Sequence, residues 1–331
     1  MSGVNIVGVG KYVPDLIVTN DMYSQIVETN DEWITTRTGI KSRHITNGEP
    51  TYHLGAMSAK EAIENAGINP NDIGLIIVTT ITNDFVTPSA ACLIQREIGA
   101  IGSMAIDINC ACAGFVYAFD MAKRYLETDK NLKYVLVVSA EELSKITDYT
   151  DRSTCVLFGD GAAAVVLERD ENKMFSGYLG ADGTGAEYLL ARSYQSETPF
   201  TTNHERFDDK MPDGNSHFLY QNGKEVYKFA TKTLPLAVEK ACENVGITPE
   251  QLDLIIPHQA NVRIIETAAK NLGISMDKFY INLNNHGNTS SASIPMALYD
   301  AVKDGSLKKG DKACIVGFGA GLTYGGIVFE F

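Results

Sequence analysis

Residues 62–80 and 241–259 read AIENAGINPNDIGLIIVTT and ACENVGITPEQLDLIIPHQ. Aligned without gaps, roughly half of the positions are identical, and self-similarity of this kind constrains a fold before any single motif does. Each copy reads as a helix end, a glycine stop, an Asn-Pro or Thr-Pro restart and then a buried strand. One repeat of this length cannot build a solenoid; it predicts two similar halves made by duplication. The ends of the halves also correspond. FGDGAAAVVLERD (Phe158–Asp170) resembles FGAGLTYGGIVFEF (Phe318–Phe331), each with small residues ahead of an apolar strand. The division is expected near residue 170, giving a first half over 1–170 and a second over 171–331.

Strands and helices alternate along the whole chain. IGLIIVTT, SMAIDIN, KYVLVVSA, LDLIIPH and KACIVGFG are short β-rich runs, whereas ACLIQREIGA, CAGFVYAFDMAKRYLE and ANVRIIETAAKNLG carry helical spacing. That alternation implies an α/β fold with mostly parallel strands. The polar stretch from Tyr194 to Gly223 is long for a plain connection and is expected to form a lid or surface loop.

With 331 residues, 44% of them hydrophobic, the chain can bury a large core. No apolar run approaches the roughly 18 residues of a membrane span. The start, MSGVNIVGVGKYVPD, reads as a first strand and not as a secretory signal. A net charge of −13 without a basic stripe argues against nucleic acid as a partner. The six cysteines sit mostly within apolar strand or helix patterns, which suits a reduced, cytoplasmic setting.

Four stretches carry possible chemistry. NCACAGF follows the strand SMAIDIN and precedes an apolar helix, so Cys112 is expected at a helix N-terminus, where the dipole and free N–H groups favour a thiolate. Cys110 lies at the strand end without that benefit. C-x-C with no nearby Cys or His completes no tetrahedral metal site, and a redox pair wants C-x-x-C. Position alone leaves Cys112 open between core residue and nucleophile. In LDLIIPHQANVRIIE, His258 ends a buried strand, the edge where ligands gather in α/β sheets. It occupies the place of Thr79 in the other copy of the repeat. NLNNHGNTSSASIP crowds Asn288 and its neighbours into a polar turn that an ordinary N-cap would also explain. GFGAGLTYGG allows close backbone approach, yet its lone GxG is weak evidence for a nucleotide. A Cys, a His and an Asn at the ends of separate strands together point to a nucleophilic thiol site and acyl chemistry.

In order, DEWITTRTGIKSRHI, PSAACLIQ, ACAGF, TDRSTCVLFGDGAAA, IPHQANVRI, HGNTS and FGAGLTYG run nearly end to end through the chain. With these motifs the sequence resembles the beta-ketoacyl-acyl-carrier-protein synthase III family, condensing enzymes of the thiolase fold. The resemblance implies a thiolase-like, duplicated five-layer α/β/α/β/α architecture. It implies Cys112 as nucleophile, with His258 and Asn288 completing the triad, and an oxyanion hole from the backbone N–H groups of Cys112 and Ala320. Cys110 becomes a bystander and His286 a turn residue. Family members often have Gly where Ala320 stands. For coenzyme A the matching positions are Trp33, Arg37 and Arg152; for the acyl pocket, Thr87 and Phe318; for carrier-protein docking, Lys228, Arg263 and Lys270. The implied partners are an acyl-CoA, malonyl-acyl-carrier protein and a second copy of the chain, with Asp84 to Cys92 reaching the partner's pocket. No cofactor or metal is implied, because the CoA thioester is itself a substrate. Some relatives carry Phe where Thr87 stands, so a longer or branched primer is expected to be admitted.

Other thiolase-fold enzymes fit less well. The late cysteine of degradative thiolases is missing from GFGAGLTYG, Asn288 stands where elongating synthases use a second histidine, and IIVTTITNDF offers no catalytic glutamate of the hydroxymethylglutaryl-CoA synthase kind. The rival reading is a condensing enzyme or acyltransferase of secondary metabolism that uses the same triad.

Overall fold

The structure, a computed structural model, describes residues 3–192, 199 and 217–331. Most of the Tyr194 to Gly223 stretch lies outside the described residues.

Two sheets organise the chain. The first runs Gly3–Tyr12, Asp160–Asp170, Tyr134–Glu142, Ile73–Thr79 and Met104–Ile108 across its width. The second runs Phe175–Ala181, Thr323–Glu330, Lys312–Gly319 and Leu254–Pro257. Position by position the pairings agree. In each sheet the first two contacts are antiparallel and the next is parallel. Even the fifth place has a counterpart. Met104–Ile108 pairs in parallel with Ile73–Thr79, and Phe279 makes a single parallel bridge to Ile255, with Tyr280 N–H donating to the Ile255 carbonyl at 2.9 Å. The central strands are buried on both faces and rich in Ile, Val and Leu, as parallel strands covered by helices must be.

Helices Gly114–Thr128 and Ser293–Lys303 lie between the sheets, and one apolar cluster joins Phe115, Phe119, Leu298 and Ala301 to strand residues of both. Thr51–Ala66 and Ala90–Ile98 cover the outer face of the first sheet. Gly223–Glu243 and Val262–Leu272 cover that of the second. The result is five layers, α/β/α/β/α.

The sequence repeat folds twice into the same local structure. Gly67 and Gly246 stop their helices in the left-handed region, at φ 64° and 71°, where glycine carries no Cβ penalty. Short 3₁₀ turns at Pro70–Asp72 and Pro249–Gln251 then lead into the strands that end at Thr79 and at Pro257. Both strand ends face the same interior, and the site is built there. No described helix is long and apolar enough to cross a membrane.

Candidate active site

Strand Met104–Ile108 leads into a 3₁₀ turn, Ala111–Ala113, and then into helix Gly114–Thr128, which puts Cys112 ahead of the helix N-terminus. Ala111, just before it, holds φ 47°. A left-handed alanine is strained, and such conformations persist only where the surroundings enforce them. The enforcing neighbour is the end of strand Lys312–Gly319: a Cβ on Gly319 would stand 2.5 Å from the Cys112 nitrogen. Glycine there lets the two backbones touch.

His258 follows strand Leu254–Pro257, and its N–H donates to the Val316 carbonyl at 2.8 Å. Its Nδ1 lies 2.7 Å from Ser293 Oγ, and its ring meets Phe318 edge-on with centroids 5.3 Å apart. Nε2 is the nitrogen left for the cavity. Gln259 fixes the loop that follows, donating to the Pro257 and Tyr280 carbonyls and accepting from Asn282 N–H. Asn288 is tied to the first half: its N–H donates to the Leu157 carbonyl at 2.8 Å, and its carbonyl accepts from Gly159 N–H at 3.0 Å. The Asn288 Oδ1 accepts from Ser290 N–H at 2.9 Å, which leaves Nδ2 as the free donor of the amide.

Cys112, His258, Asn288, Phe318 and Ala320 line one cavity of about 240 Å³, and Trp33 and Arg37 line it as well. The triad residues are each less than a tenth exposed. Burial sets their protonation. It holds the His258 imidazole neutral, with its pKa down to about 3. It pushes the Cys112 thiol up to about 12, aided by the nearby charge of Glu141 and opposed by the hydrogen bond to Ser290. The helix-terminal position predicts the opposite direction for the thiol; in this closed pocket desolvation outweighs it.

The remaining expected residues fall into two groups. Trp33 sits on helix Asp31–Thr38, capped by Asn30, with the guanidinium carbons of Arg37 and Arg152 at 4.8 and 5.0 Å from its ring centroid. Arg152 also donates to the Glu28 carbonyl at 2.7 Å, so the three form one cationic-aromatic cluster. Lys228 and Lys270 lie on the neighbouring helices Gly223–Glu243 and Val262–Leu272, with Arg263 beside Arg37 through a hydrogen bond to the Thr36 carbonyl. Lys228 is spent partly on Glu225, 2.7 Å away. Thr87 stands apart: it is exposed and does not line the cavity of its own chain. Sequence reading overlooked Ser293, Gln259 and Glu141. Only the last left a signal, a glutamate inside the apolar run KYVLVVSAEEL.

Two packed α/β sheets sharing a middle helical layer, with a thiol after the end of one strand and an imidazole after the end of another in the second half, define a thiolase-like condensing enzyme. The comparisons with known proteins name the family within that class. The models described as 3-oxoacyl-[acyl-carrier-protein (ACP)] synthase III and its C-terminal domain match residues 106–183 and 242–331. A beta-ketoacyl-[acyl-carrier-protein] synthase III of Clostridium acetobutylicum is 48% identical over 100% of this chain and 99% of its own length. The crystal structure of 3-oxoacyl-[acyl-carrier-protein] synthase III from Aquifex aeolicus VF5 superposes with a TM-score of 0.91 at 40% identity, covering 99% of this chain and 100% of that one. The priming beta-ketosynthase from the R1128 polyketide biosynthetic pathway gives 0.88 at 34% identity, covering 99% and 96%. This chain belongs to the beta-ketoacyl-[acyl-carrier-protein] synthase III family.

Proposed function

We propose that this chain starts type II fatty acid synthesis by condensing an acyl-CoA primer with malonyl-acyl-carrier protein, through an acyl group held on Cys112. The observation that carries the reading is the convergence of Cys112, His258, Asn288 and Ala320 on one cavity that Trp33 and Arg37 also line. The Cys112 thiolate attacks the CoA thioester and keeps the acyl group. The N–H groups of Cys112 and Ala320 hold the oxyanion, a contribution on the order of 10²–10³ in rate per donor. Malonyl-carrier protein then binds, and His258 Nε2–H and Asn288 Nδ2–H donate to its thioester oxygen. Loss of CO₂ leaves an enolate that those two donors stabilise. Its carbon attacks the acyl-cysteine, giving the 3-ketoacyl product and a free thiol. A neutral His258 suits this role, since it must donate from one nitrogen while the other stays occupied by Ser293. The chemistry asks for no resident cofactor.

The finer assignments follow the same reading. The Trp33, Arg37 and Arg152 cluster takes the nucleotide end of CoA by stacking and phosphate pairing. Phe318 bounds the acyl pocket beside His258. Lys228, Arg263 and Lys270 receive the acidic carrier protein, steering it by charge. Residues 1–170 form the half that brings the nucleophile and 171–331 the half that brings His258 and Asn288. The chain works as a homodimer. Met104–Ile108 edges its sheet, with Met104 exposed, and Phe85 and Val86 expose large apolar side chains in the loop that carries Thr87. Such a loop would deliver Thr87 to the partner's pocket.

Intact-protein mass after incubation with a panel of acyl-CoAs tests the reading, using the native chain and Cys112→Ala. An adduct from acetyl-CoA or another short acyl-CoA, absent in the variant, is the expected result. Labelling only by long, aromatic or otherwise unusual acyl groups would favour the secondary-metabolism role that the likeness to a polyketide priming synthase keeps in view. An adduct that survives in Cys112→Ala would remove Cys112 as the nucleophile.

A further inference from the structure

Among the described residues, the largest side chain that is fully buried carries a charge. It belongs to Arg43, in the short strand Ser42–Ile45, and it does not line the cavity. Its Nη2 donates to the Val156 carbonyl at 2.6 Å. Its Nη1 donates to Asn20 Oδ1 at 2.9 Å and to the Val18 carbonyl at 3.3 Å. Its guanidinium carbon stands 4.6 Å from the centroid of the buried Tyr23 ring. No carboxylate is among its hydrogen-bond partners in the described residues, and its Nε has no partner there at all.

Stability alone is a poor reason to keep such a group. A buried cation costs free energy, and apolar residues of similar volume often serve the fold as well or better. What the guanidinium adds is direction. Its charge-assisted hydrogen bonds are strong and its planar fork is rigid, so acceptors from separate segments are held in one arrangement. Those acceptors lie at residues 18, 20 and 156.

The third acceptor leads to the site. Val156, Leu157 and Phe158 line the cavity and connect helix Arg152–Cys155 to strand Asp160–Asp170. The Val156 carbonyl is held by Arg43, and the next carbonyl, of Leu157, accepts the Asn288 N–H at 2.8 Å. Phe158 and Asn288 form a parallel bridge, closed by Gly159 N–H donating to the Asn288 carbonyl at 3.0 Å. The stem of Arg43 lies against the same bridge. A Cβ on Gly159 would stand 2.9 Å from Arg43 Cβ, and one on Gly287 would stand 3.3 Å from it and 2.9 Å from the Leu157 carbonyl. Glycine at both places lets the arginine pack against the two segments that hold Asn288.

The coenzyme A side of the cavity is held separately. The Asn20 amide donates to Asp31 Oδ1 and to the Ile40 carbonyl, at 2.8 Å each, and so ties down both ends of helix Asp31–Thr38, which carries Trp33 and Arg37. Those two bonds do not pass through Arg43.

We infer that Arg43 is a positioning residue for Asn288. Through the Val156 and Leu157 peptides it sets where Asn288 Nδ2 points, and so it serves the decarboxylation of malonyl-carrier protein and not the loading of Cys112. The inference rests on the proposed role of Asn288 as a donor to the malonyl thioester oxygen. A displacement of that donor by about 1 Å is enough to cost a large factor in rate.

The test measures the two half-reactions apart, in the native chain, Arg43→Met, Arg43→Lys, Asn288→Ala and Arg43→Met with Asn288→Ala. CO₂ release from malonyl-carrier protein without a primer reads decarboxylation, and intact mass against acyl-CoA concentration reads loading of Cys112. Methionine keeps most of the stem and removes the fork; lysine keeps the charge and removes the fork. In both Arg43 variants, kcat for decarboxylation is expected to fall at least tenfold, with KM for malonyl-carrier protein and the rate and half-saturation of loading within threefold of native. On the Asn288→Ala background, Arg43→Met is expected to cost less than twofold more, because the group it positions is already gone. Equal losses in both half-reactions, native decarboxylation in either variant, or multiplying losses in the double variant would overturn the inference. If Arg43→Met does not fold, Arg43→Lys alone and combined with Asn288→Ala decides. The two readings fail differently. A slow Asn288→Ala beside native-like Arg43 variants removes Arg43 and leaves the role of Asn288. Native decarboxylation in Asn288→Ala removes that role, and the inference falls with it.

Discussion

The two copies of the internal repeat deliver a strand end to the same interior and then part ways. In the second copy the strand ends at Pro257 and presents His258, whose ring is clamped by Ser293 and Phe318. In the first copy the equivalent position is Thr79, a small side chain whose hydroxyl is buried with no partner among the described residues. Thr79 does not reach the cavity. It packs instead against Gly114, the first residue of the helix that follows Cys112: a Cβ on Gly114 would overlap Thr79 Oγ1. Duplication therefore supplied one backbone position twice, and the chemistry was divided between the copies. One strand end bears the imidazole. The other shapes the turn that holds the thiol.

The most damaging way to break this division is Gly114→Ala. The added methyl has the Thr79 side chain on one side and Ser291 Cβ at 3.4 Å on another. Overpacking of a rigid site costs about 3 kcal/mol, and a shift of the turn by about 1 Å lowers turnover roughly a hundredfold. Urea unfolding and a condensation assay read the two effects. Near-native values in both would mean that the contact between Thr79 and Gly114 does not position Cys112.

His258 sharpens the comparison through pH. Its folded pKa, about 3, lies below the ordinary value of 6.5. The neutral form is the folded one, so this contribution to stability is complete above pH 6.5 and is lost as pH falls from there toward 3. Between pH 6.5 and 5 the unfolded chain takes up the proton and the folded chain does not, a loss of about 2 kcal/mol. Thr79 contributes nothing of the kind. Unfolding free energies from urea titrations at the two pH values are expected to fall further apart for the native chain than for His258→Gln by that amount. Equal differences would show that His258 is protonated in the fold, and with it would go the picture of a neutral hydrogen-bond donor.

Much of this architecture was legible before the structure, for physical reasons. The repeat announced the duplication because helix stops, Pro restarts and buried strands are local signals written in Gly, Pro and β-branched residues. Cys112, His258 and Asn288 were legible as candidates because each follows a strand or fills a turn at its end. Their convergence was not, since it depends on how the two sheets face each other across helices Gly114–Thr128 and Ser293–Lys303. Glu141 left only the signal of a glutamate in an apolar run, and its surroundings were hidden for a related reason. Its four neutral donors come from residues 80–82 and 291, and no local pattern links them. The direction of the Cys112 pKa failed because the helix terminus is a local feature and desolvation is a property of the closed cavity.

The finest test of the comparison returns to Thr79. If its role is only to fill space against Gly114, its hydroxyl is dispensable. Thr79→Val keeps the volume and the branching of the side chain and removes a buried group that has no partner among the described residues. Threonine and valine are poor substitutes where the hydroxyl is bonded, because the partner is then left unsatisfied. Here no such partner is left behind, and removing the buried polar atom is neutral or stabilising by up to about 1 kcal/mol. The backbone carbonyl of Thr79, which accepts from Ser291 Oγ at 3.2 Å, is untouched by the change. Turnover is expected to stay within about twofold of the native chain. A tenfold loss of turnover with unchanged stability would show that the Thr79 hydroxyl takes part in the reaction, and that the first copy kept a share of the chemistry that the second copy displays.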